Sequence, residues 1–298
     1  MKFGGTLQHG GGPIQITSEQ APQDQKYYIS TMDSIASIVD LDRYPLGTPG
    51  SADWDELVNS CRNLLNETGM FELPGFLKTD VLQSAAAVIQ QRMEHESVEI
   101  RREHNIYFLD KVEGLSDDHP ALKKIMTVNH TLCADQLHGT PLLDVYEWPN
   151  FRMFIAATMN ISTLHLMDDE LARVNVLGYR PGEALNWHFD RSEFTITMLL
   201  QRAEHDGIFE YRRELRTDLD PNYDAVGKLV AGNDPEVISV DIDPGALNVF
   251  RGRNTAHRVT TVNGDRERMV AVFSLYEQPG VRFSDSENLG FYRRTKAK

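Results

Sequence analysis

The pattern of apolar and polar positions divides the chain into three stretches of different texture. Up to about residue 50 there is little periodicity, and Gly10-Gly-Gly-Pro13, Asp40-Leu-Asp-Arg-Tyr-Pro45 and Gly47-Thr-Pro-Gly50 punctuate the sequence with turn residues. Residues 1–50 therefore read as an extended N-terminal arm, ordered by packing on the body or on a second subunit, so a homodimer is among the expected states. From Ser51, a plausible N-cap, Trp54, Leu57, Val58, Cys61, Leu64 and Leu65 recur at helical spacing until Gly69. After the extended piece Met70–Leu77, a second helical stripe runs through Leu82, Ala85, Val88, Ile89 and Met93. A third is expected beyond Pro120, with Leu122, Ile125, Met126, Cys133 and Leu137 on one side.

Beyond about residue 170 the period shortens to two. Eight β-rich runs follow: 173–179, 184–190, 194–201, 207–212, 237–242, 246–250, 257–262 and 268–277. Eight short strands in about 105 residues is the density of a small antiparallel barrel or jelly roll. An insert, Glu214 to Glu236, separates the fourth strand from the fifth, and its centre has room for a short helix. The expected architecture is α+β: a jelly-roll core over 171–280, a helical front end over 51–170 packed against it, and a C-terminal tail over 281–298, together one domain.

Composition adds bounds rather than detail. At 298 residues, 41% hydrophobic and 25% charged, the chain can bury one large core. No apolar run approaches the length of a membrane helix, and the first residues lack a signal-peptide pattern, so a cytoplasmic protein is expected. The net charge of −14 argues against a nucleic-acid partner and is compatible with a cationic small substrate. Cys61 and Cys133 read as buried thiols rather than a disulfide. His130 and His138 read as solvated or capping residues, and His165 and His205 share no spacing with other ligand types.

Candidate chemistry concentrates in the β-rich part. His188 and Asp190 lie two apart at the end of the second strand, so their side chains share a face, and His257 lies at the start of the seventh, which can neighbour the second in a rolled sheet. Two histidines and one carboxylate leave open positions on a metal, the donor set that suits non-heme Fe(II) and dioxygen chemistry. Arg266 follows His257 by nine residues, and Arg268 comes two further on. A guanidinium near such a metal would meet the far carboxylate of a dicarboxylate cosubstrate. Trp187 and Phe189 alternate with the ligands and are expected to pack on the other face, while Asn175 shares a face with Tyr179.

These segments carry a resemblance. Tyr179-Arg-Pro-Gly-Glu-Ala-Leu-Asn-Trp-His188-Phe-Asp190, then Asp243-Pro-Gly-Ala-Leu-Asn-Val-Phe250 and His257-Arg-Val-Thr-Thr-Val-Asn-Gly-Asp-Arg266, resemble the core of Fe(II)/2-oxoglutarate-dependent oxygenases in order and spacing. The resemblance implies a double-stranded β-helix and an iron triad of His188, Asp190 and His257. It matches Arg266 to the arginine that grips 2-oxoglutarate and Tyr179 to a tyrosine that hydrogen-bonds it. Arg268 departs from the pattern, since relatives commonly place a small hydroxyl residue there; it would share the anion, contact substrate or form a surface pair. The implied reaction couples oxidative decarboxylation of 2-oxoglutarate by dioxygen to hydroxylation of an unactivated C–H bond.

More narrowly, the helical front end and the ending Val272-Phe-Ser-Leu-Tyr-Glu-Gln-Pro-Gly280 are similar to carrier-free amino-acid halogenases and their hydroxylating relatives. Halogenases of that branch carry Gly or Ala where Asp190 stands, so the resemblance implies hydroxylation, with a free amino acid as substrate and a basic one suggested by the acidic balance. The alternatives are a cupin-like metalloprotein without oxygenase activity, or an oxygenase acting on a nucleoside, a nucleotide or another natural product. The N-terminal arm and the insert are the expected lids.

Overall fold

The fold is described from a computed structural model, which places residues 34–298. Helix α1 (Ala52–Glu67) starts where Ser51 accepts a hydrogen bond from the Trp54 N–H at 3.2 Å. Val58, Cys61 and Leu65 form its buried face, and the chain leaves it through Gly69 at φ +83°. Strand β1 (Met70–Leu73) and helix α2 (Thr79–Glu96) follow, with Ala85, Ile89 and Met93 inward, as the stripe predicts. Within the expected arm, residues 34–50 are packed on the body: Ile35, Val39, Tyr44 and Leu46 are buried, and Val39 bridges Leu77. Residues 1–33 lie outside the described part of the chain.

One expected helix is a strand. Ile125–Leu132 forms β3, hairpinned to β2 (Val98–His104) with Val98 opposite Thr131 and His104 opposite Ile125. Its sequence alternates with period two: Thr127, Asn129 and Thr131 line a cavity, while buried Val128, His130 and Leu132 occupy the alternate positions. That alternation, with β-branched Thr and Val, overrides the helical spacing of Leu122, Ile125 and Met126. The helical layer is completed by α3 (Pro141–Glu147) and α4 (Pro149–Thr158), each entered through a proline.

The jelly roll alternates its strands between two sheets. Strands β5 (Val174–Tyr179), β7 (Phe194–Gln201), β11 (Leu247–Arg251) and β14 (Arg268–Phe273) belong to a seven-stranded sheet of order β1-β11-β7-β14-β5-β3-β2. Strands β6 (Leu185–His188), β9 (Phe209–Arg212), β10 (Ile238–Val240) and β12 (Ala256–Val259) form the facing sheet, in the order β10-β9-β12-β6. Two ribbons, β4 (His165–Leu166) with β15 (Leu275–Tyr276) and β8 (His205–Asp206) with β13 (Val262–Asn263), extend the ends.

Side-chain parity on the large sheet separates two cores. Met269, Ala271 and Phe273 of β14 join Val174 and Val176 of β5 against the helices, in a cluster with Phe151, Phe154 and Ile155 of α4. Val270 and Tyr179 instead face Phe209, Tyr211 and Phe250 inside the barrel. The insert holds the expected short helix, α5 (Tyr223–Val230), packed on Phe189, Trp187 and Ile106. The segment expected as a tail carries a further helix, α6 (Asp285–Tyr292), capped by Ser284 and Glu287 in a reciprocal capping box. Cys61 and Cys133 are free and buried, and burial pushes both thiols up to about 12. Among the described residues no helix is long and apolar enough to cross a membrane.

Candidate metal and cosubstrate site

The end of β6 and the start of β12 meet as antiparallel neighbours, with His188 directly opposite His257. Asp190 lies just past the end of β6, where its N–H donates to the Gly252 carbonyl at 3.1 Å. The three side chains converge: one ligand atom from each of His188, Asp190 and His257 lies within 4.8 Å of the others, the only such His/Cys/Asp/Glu cluster among the described residues. His188 Nε2 is 3.4 Å from Asp190 Oδ1, and His257 Nε2 is 3.3 Å from Asp190 Oδ2. Ligands about 2.1 Å from a common ion and at right angles stand about 3.0 Å apart, so these separations fit one shared metal.

Each imidazole is oriented by its own strand. His188 Nδ1 lies 2.9 Å from the Asn186 carbonyl and His257 Nδ1 lies 3.0 Å from the Thr255 carbonyl, in both cases the residue two positions back. A ring nitrogen facing a carbonyl must carry the proton, which leaves both Nε2 lone pairs free to ligate. The Thr195 hydroxyl of β7 donates to Asp190 Oδ2 and fixes the carboxylate from the opposite sheet. Gly252 makes room for it: a Cβ there would stand 2.4 Å from Asp190 Oδ2 and 2.8 Å from Thr195 Oγ1.

Electrostatically the cluster is poised for a cation. Burial opposes ionisation of Asp190, yet His257 and His188 hold its carboxyl well below the usual range. Burial also lowers His188, helped by the neighbouring His257, whereas Asp190 outweighs burial at His257 and raises it. An ionised carboxylate with at least one neutral imidazole is a ligand set in its binding form.

The two candidate arginines occupy different environments. Arg268, the first residue of β14, points into the barrel opposite Tyr179, and it is 5% exposed. Its Nη1 has no hydrogen-bond partner among the described residues, and burial pulls the guanidinium down to about 10. Tyr179 is 1% exposed beside it. Arg266 lies before the strand, exposed, with Nε donating to the Arg202 carbonyl at 2.9 Å and Nη2 to that of Ala203 at 3.2 Å. A spacing of two would put Arg266 and Arg268 on one strand face, but Arg266 lies in the bend that follows Gly264 at φ +83°, before the strand that Arg268 begins. Among the described residues Arg268 is thus a buried cation without an anion, a costly arrangement that a bound carboxylate would relieve.

The triad opens onto a cavity of about 660 Å³. Phe291 and Tyr292 of α6 and Arg216 of the insert form part of its wall, and the sequence reading assigned none of them to the site. The Ser284-x-x-Glu287 capping signal ahead of Leu289, Phe291 and Tyr292 could have found the helix. Asn175 also lines the cavity, with its Oδ1 accepting from Tyr292 Oη at 2.8 Å. Trp187 packs as expected, buried in the cluster beneath α5, whereas Phe189 belongs to that cluster and also forms part of the wall of the triad's cavity rather than lying only on the far face.

His130 departs from expectation: it is buried, with Nε2 3.1 Å from Glu183 Oε1, rather than solvated or capping. His138 and His205 are exposed, and His165 sits in β4.

No protein-family model matches the sequence, and no curated protein matches it either. Solved structures do share the fold. AviO1 from Streptomyces viridochromogenes Tue57 superposes with a TM-score of 0.51 at 14% identity, covering 75% of this chain and 96% of that one. HygX from Streptomyces hygroscopicus, solved with nickel, 2-oxoglutarate and hygromycin B, gives 0.50 at 12% identity over 72% and 86%. The non-heme α-ketoglutarate-dependent epimerase SnoN from nogalamycin biosynthesis gives 0.50 at 14% over 73% and 80%. The jelly-roll core expected from the sequence is therefore the architecture of the protein.

Proposed function

We propose that the protein is an Fe(II)/2-oxoglutarate-dependent dioxygenase that hydroxylates an unactivated C–H bond of a small molecule. One observation carries this reading: a two-histidine, one-carboxylate cluster shares its barrel with Arg268, a buried guanidinium whose Nη1 has no partner. A cupin-like metalloprotein without oxygenase activity needs the first feature but has no use for the second.

His188, Asp190 and His257 would hold the metal, and Arg268, with the Tyr179 hydroxyl nearby, would take the distal carboxylate of 2-oxoglutarate. The bound iron would supply dioxygen activation coupled to decarboxylation of the cosubstrate. The chain's own contribution is positional. The Asn186 and Thr255 carbonyls hold the ring tautomers, Thr195 and Gly252 seat the carboxylate, and barrel residues such as Leu177 and Leu185 keep water from the buried side. Asp190 occupies the position that halogenases of the resembling branch leave to halide, so hydroxyl transfer is favoured over halogen transfer. HygX and SnoN are described with 2-oxoglutarate or its dependence, which supports the cosubstrate assignment by fold.

The test is succinate release. Full-length protein with Fe(II), 2-oxoglutarate and air should form succinate, slowly alone and faster with a true substrate, and His257→Ala should form none. Equal succinate from wild type and His257→Ala would overturn the assignment.

A further inference from the structure

The acidic chain has a basic mouth. Against a net charge of −14, the cavity over the triad is lined by Arg102, Arg191, Arg216 and Arg253, and among the described residues its only carboxylate is Asp190, already committed to the cluster. Two of the four arginines are neutralised locally: Arg191 pairs with Glu287 at 2.6 Å and Arg253 lies 3.4 Å from Asp218. Arg102 and Arg216 have no carboxylate within ion-pair distance among the described residues.

Both unpaired guanidiniums are nevertheless held in place. Arg216 lies over the Phe189 ring with its carbon 3.9 Å from the centroid, and its Nε and Nη2 donate to the Arg253 carbonyl at 3.1 and 2.7 Å. Arg102 lies 4.7 Å over the ring of Phe108, whose other partner is His104, stacked at 4.3 Å. Phe108 takes φ +58°, a conformation that costs a non-glycine residue energy, and the Asn105 side chain fixes the turn by accepting the Tyr107 and Leu109 N–H groups. Burial pulls both guanidiniums below their ordinary value, Arg102 further through Arg191. Partly desolvated cations oriented on aromatic plates, without counter-ions, are half of an anion site.

We propose that the substrate is an oxyanion that presents a carboxylate or phosphate to Arg102 and Arg216 while its reacting carbon faces the triad. This rests on the oxygenase reading for the chemistry, and it replaces the basic amino acid suggested by overall charge. Among the described residues, a cationic side chain would meet four arginines and no free acid in this cavity.

The test uses three probes of like body and different charge: phenyl phosphate, phenylacetate and phenethylamine. Calorimetric titration of the full-length chain, with Fe(II) and 2-oxoglutarate under nitrogen and again with neither, reads their binding. Phenyl phosphate or phenylacetate should bind and phenethylamine should not, the tighter anion identifying the group. Arg102→Met and Arg216→Met should each weaken the anion about tenfold or more, the scale of one lost charge-assisted contact. Arg216→Lys should recover most of it, and Arg101→Met, outside the cavity, should change nothing.

Phenethylamine binding as tightly as the anions, or unchanged anion binding in both methionine variants, would overturn the proposal. So would a weakened 2-oxoglutarate titration in place of a weakened probe titration, since the arginines would then serve the cosubstrate. Anion binding by a protein that forms no succinate in air with Fe(II) and 2-oxoglutarate would sink the oxygenase reading and leave the anion site standing.

Discussion

Replacing Gly252 by alanine puts a methyl group where the Asp190 carboxylate now stands. The added Cβ would lie 2.4 Å from Oδ2, 2.8 Å from Thr195 Oγ1 and 2.9 Å from Asp190 Cβ. Ordinary contact begins at 3.4 Å, so the carboxylate must retreat by about 1 Å (3.4 − 2.4). That is about twice the roughly 0.5 Å tolerance of a working site. Thr195 cannot follow without disturbing β7, and Gly252 is held by its own N–H to the Glu193 carbonyl and by accepting the Asp190 N–H. Misplacement by 1 Å costs on the order of 100-fold in rate, and loss of ligand support costs about 10- to 100-fold in metal affinity. Titration with Co(II), read by its visible absorption, measures the affinity directly, and circular dichroism checks that the fold survives. If Gly252→Ala binds Co(II) within twofold of wild type, the carboxylate is not seated as described.

Thr195→Val removes the hydroxyl that donates to Asp190 at almost unchanged volume and should weaken Co(II) by about tenfold with little change in melting temperature. Arg268→Met should raise the 2-oxoglutarate concentration for half-maximal succinate formation at least tenfold, whereas Arg266→Met should leave it within about twofold; the reverse order would return the anchor to Arg266. Arg294 clamps Asp135 through two 2.7 Å contacts and ties down the segment after α6, so Arg294→Ala should speed amide exchange over residues 284–298. Burial raises the Asp135 carboxyl, but Arg294 outweighs it and holds it below 3.8. The clamp therefore contributes fully at neutral pH and fades as pH falls below that value, and exchange over the same residues should accelerate there in wild type but little in the variant.

How much was legible depended on whether one period governed a segment. The core strands were readable because their alternation carries a period of two, and β5, β6, β7, β9, β10, β11, β12 and β14 fall on the expected runs, each starting within a residue or two of the expected position. Strand β3 was misread because Leu122, Ile125 and Met126 happen to sit three and one apart, while the residues that decide its face, Thr127, Asn129 and Thr131, are polar and lie against a cavity rather than solvent. The cluster was readable because two candidate ligands share one strand end and the third lies on its hydrogen-bonded neighbour. The difference between the two arginines was not, because a period of two was carried from Arg268 back to Arg266, which lies in the bend over 264–266 before the strand begins. Parity with Met269, Ala271 and Phe273, which face the helices, would have turned Arg268 inward. The basic mouth was hidden by the sum: net charge counts every surface carboxylate, and a cavity feels only its own walls.

The central claim is that one site holds iron through His188, Asp190 and His257 and 2-oxoglutarate through Arg268. Anaerobic addition of 2-oxoglutarate to the Fe(II)-loaded protein tests it most directly, because bidentate binding of the keto acid produces a weak visible charge-transfer band. The band should appear in wild type, saturate only at higher 2-oxoglutarate in Arg268→Met, and be missing in His257→Ala. A wild-type protein that binds Fe(II) yet develops no band, or a band indifferent to both substitutions, would contradict the account.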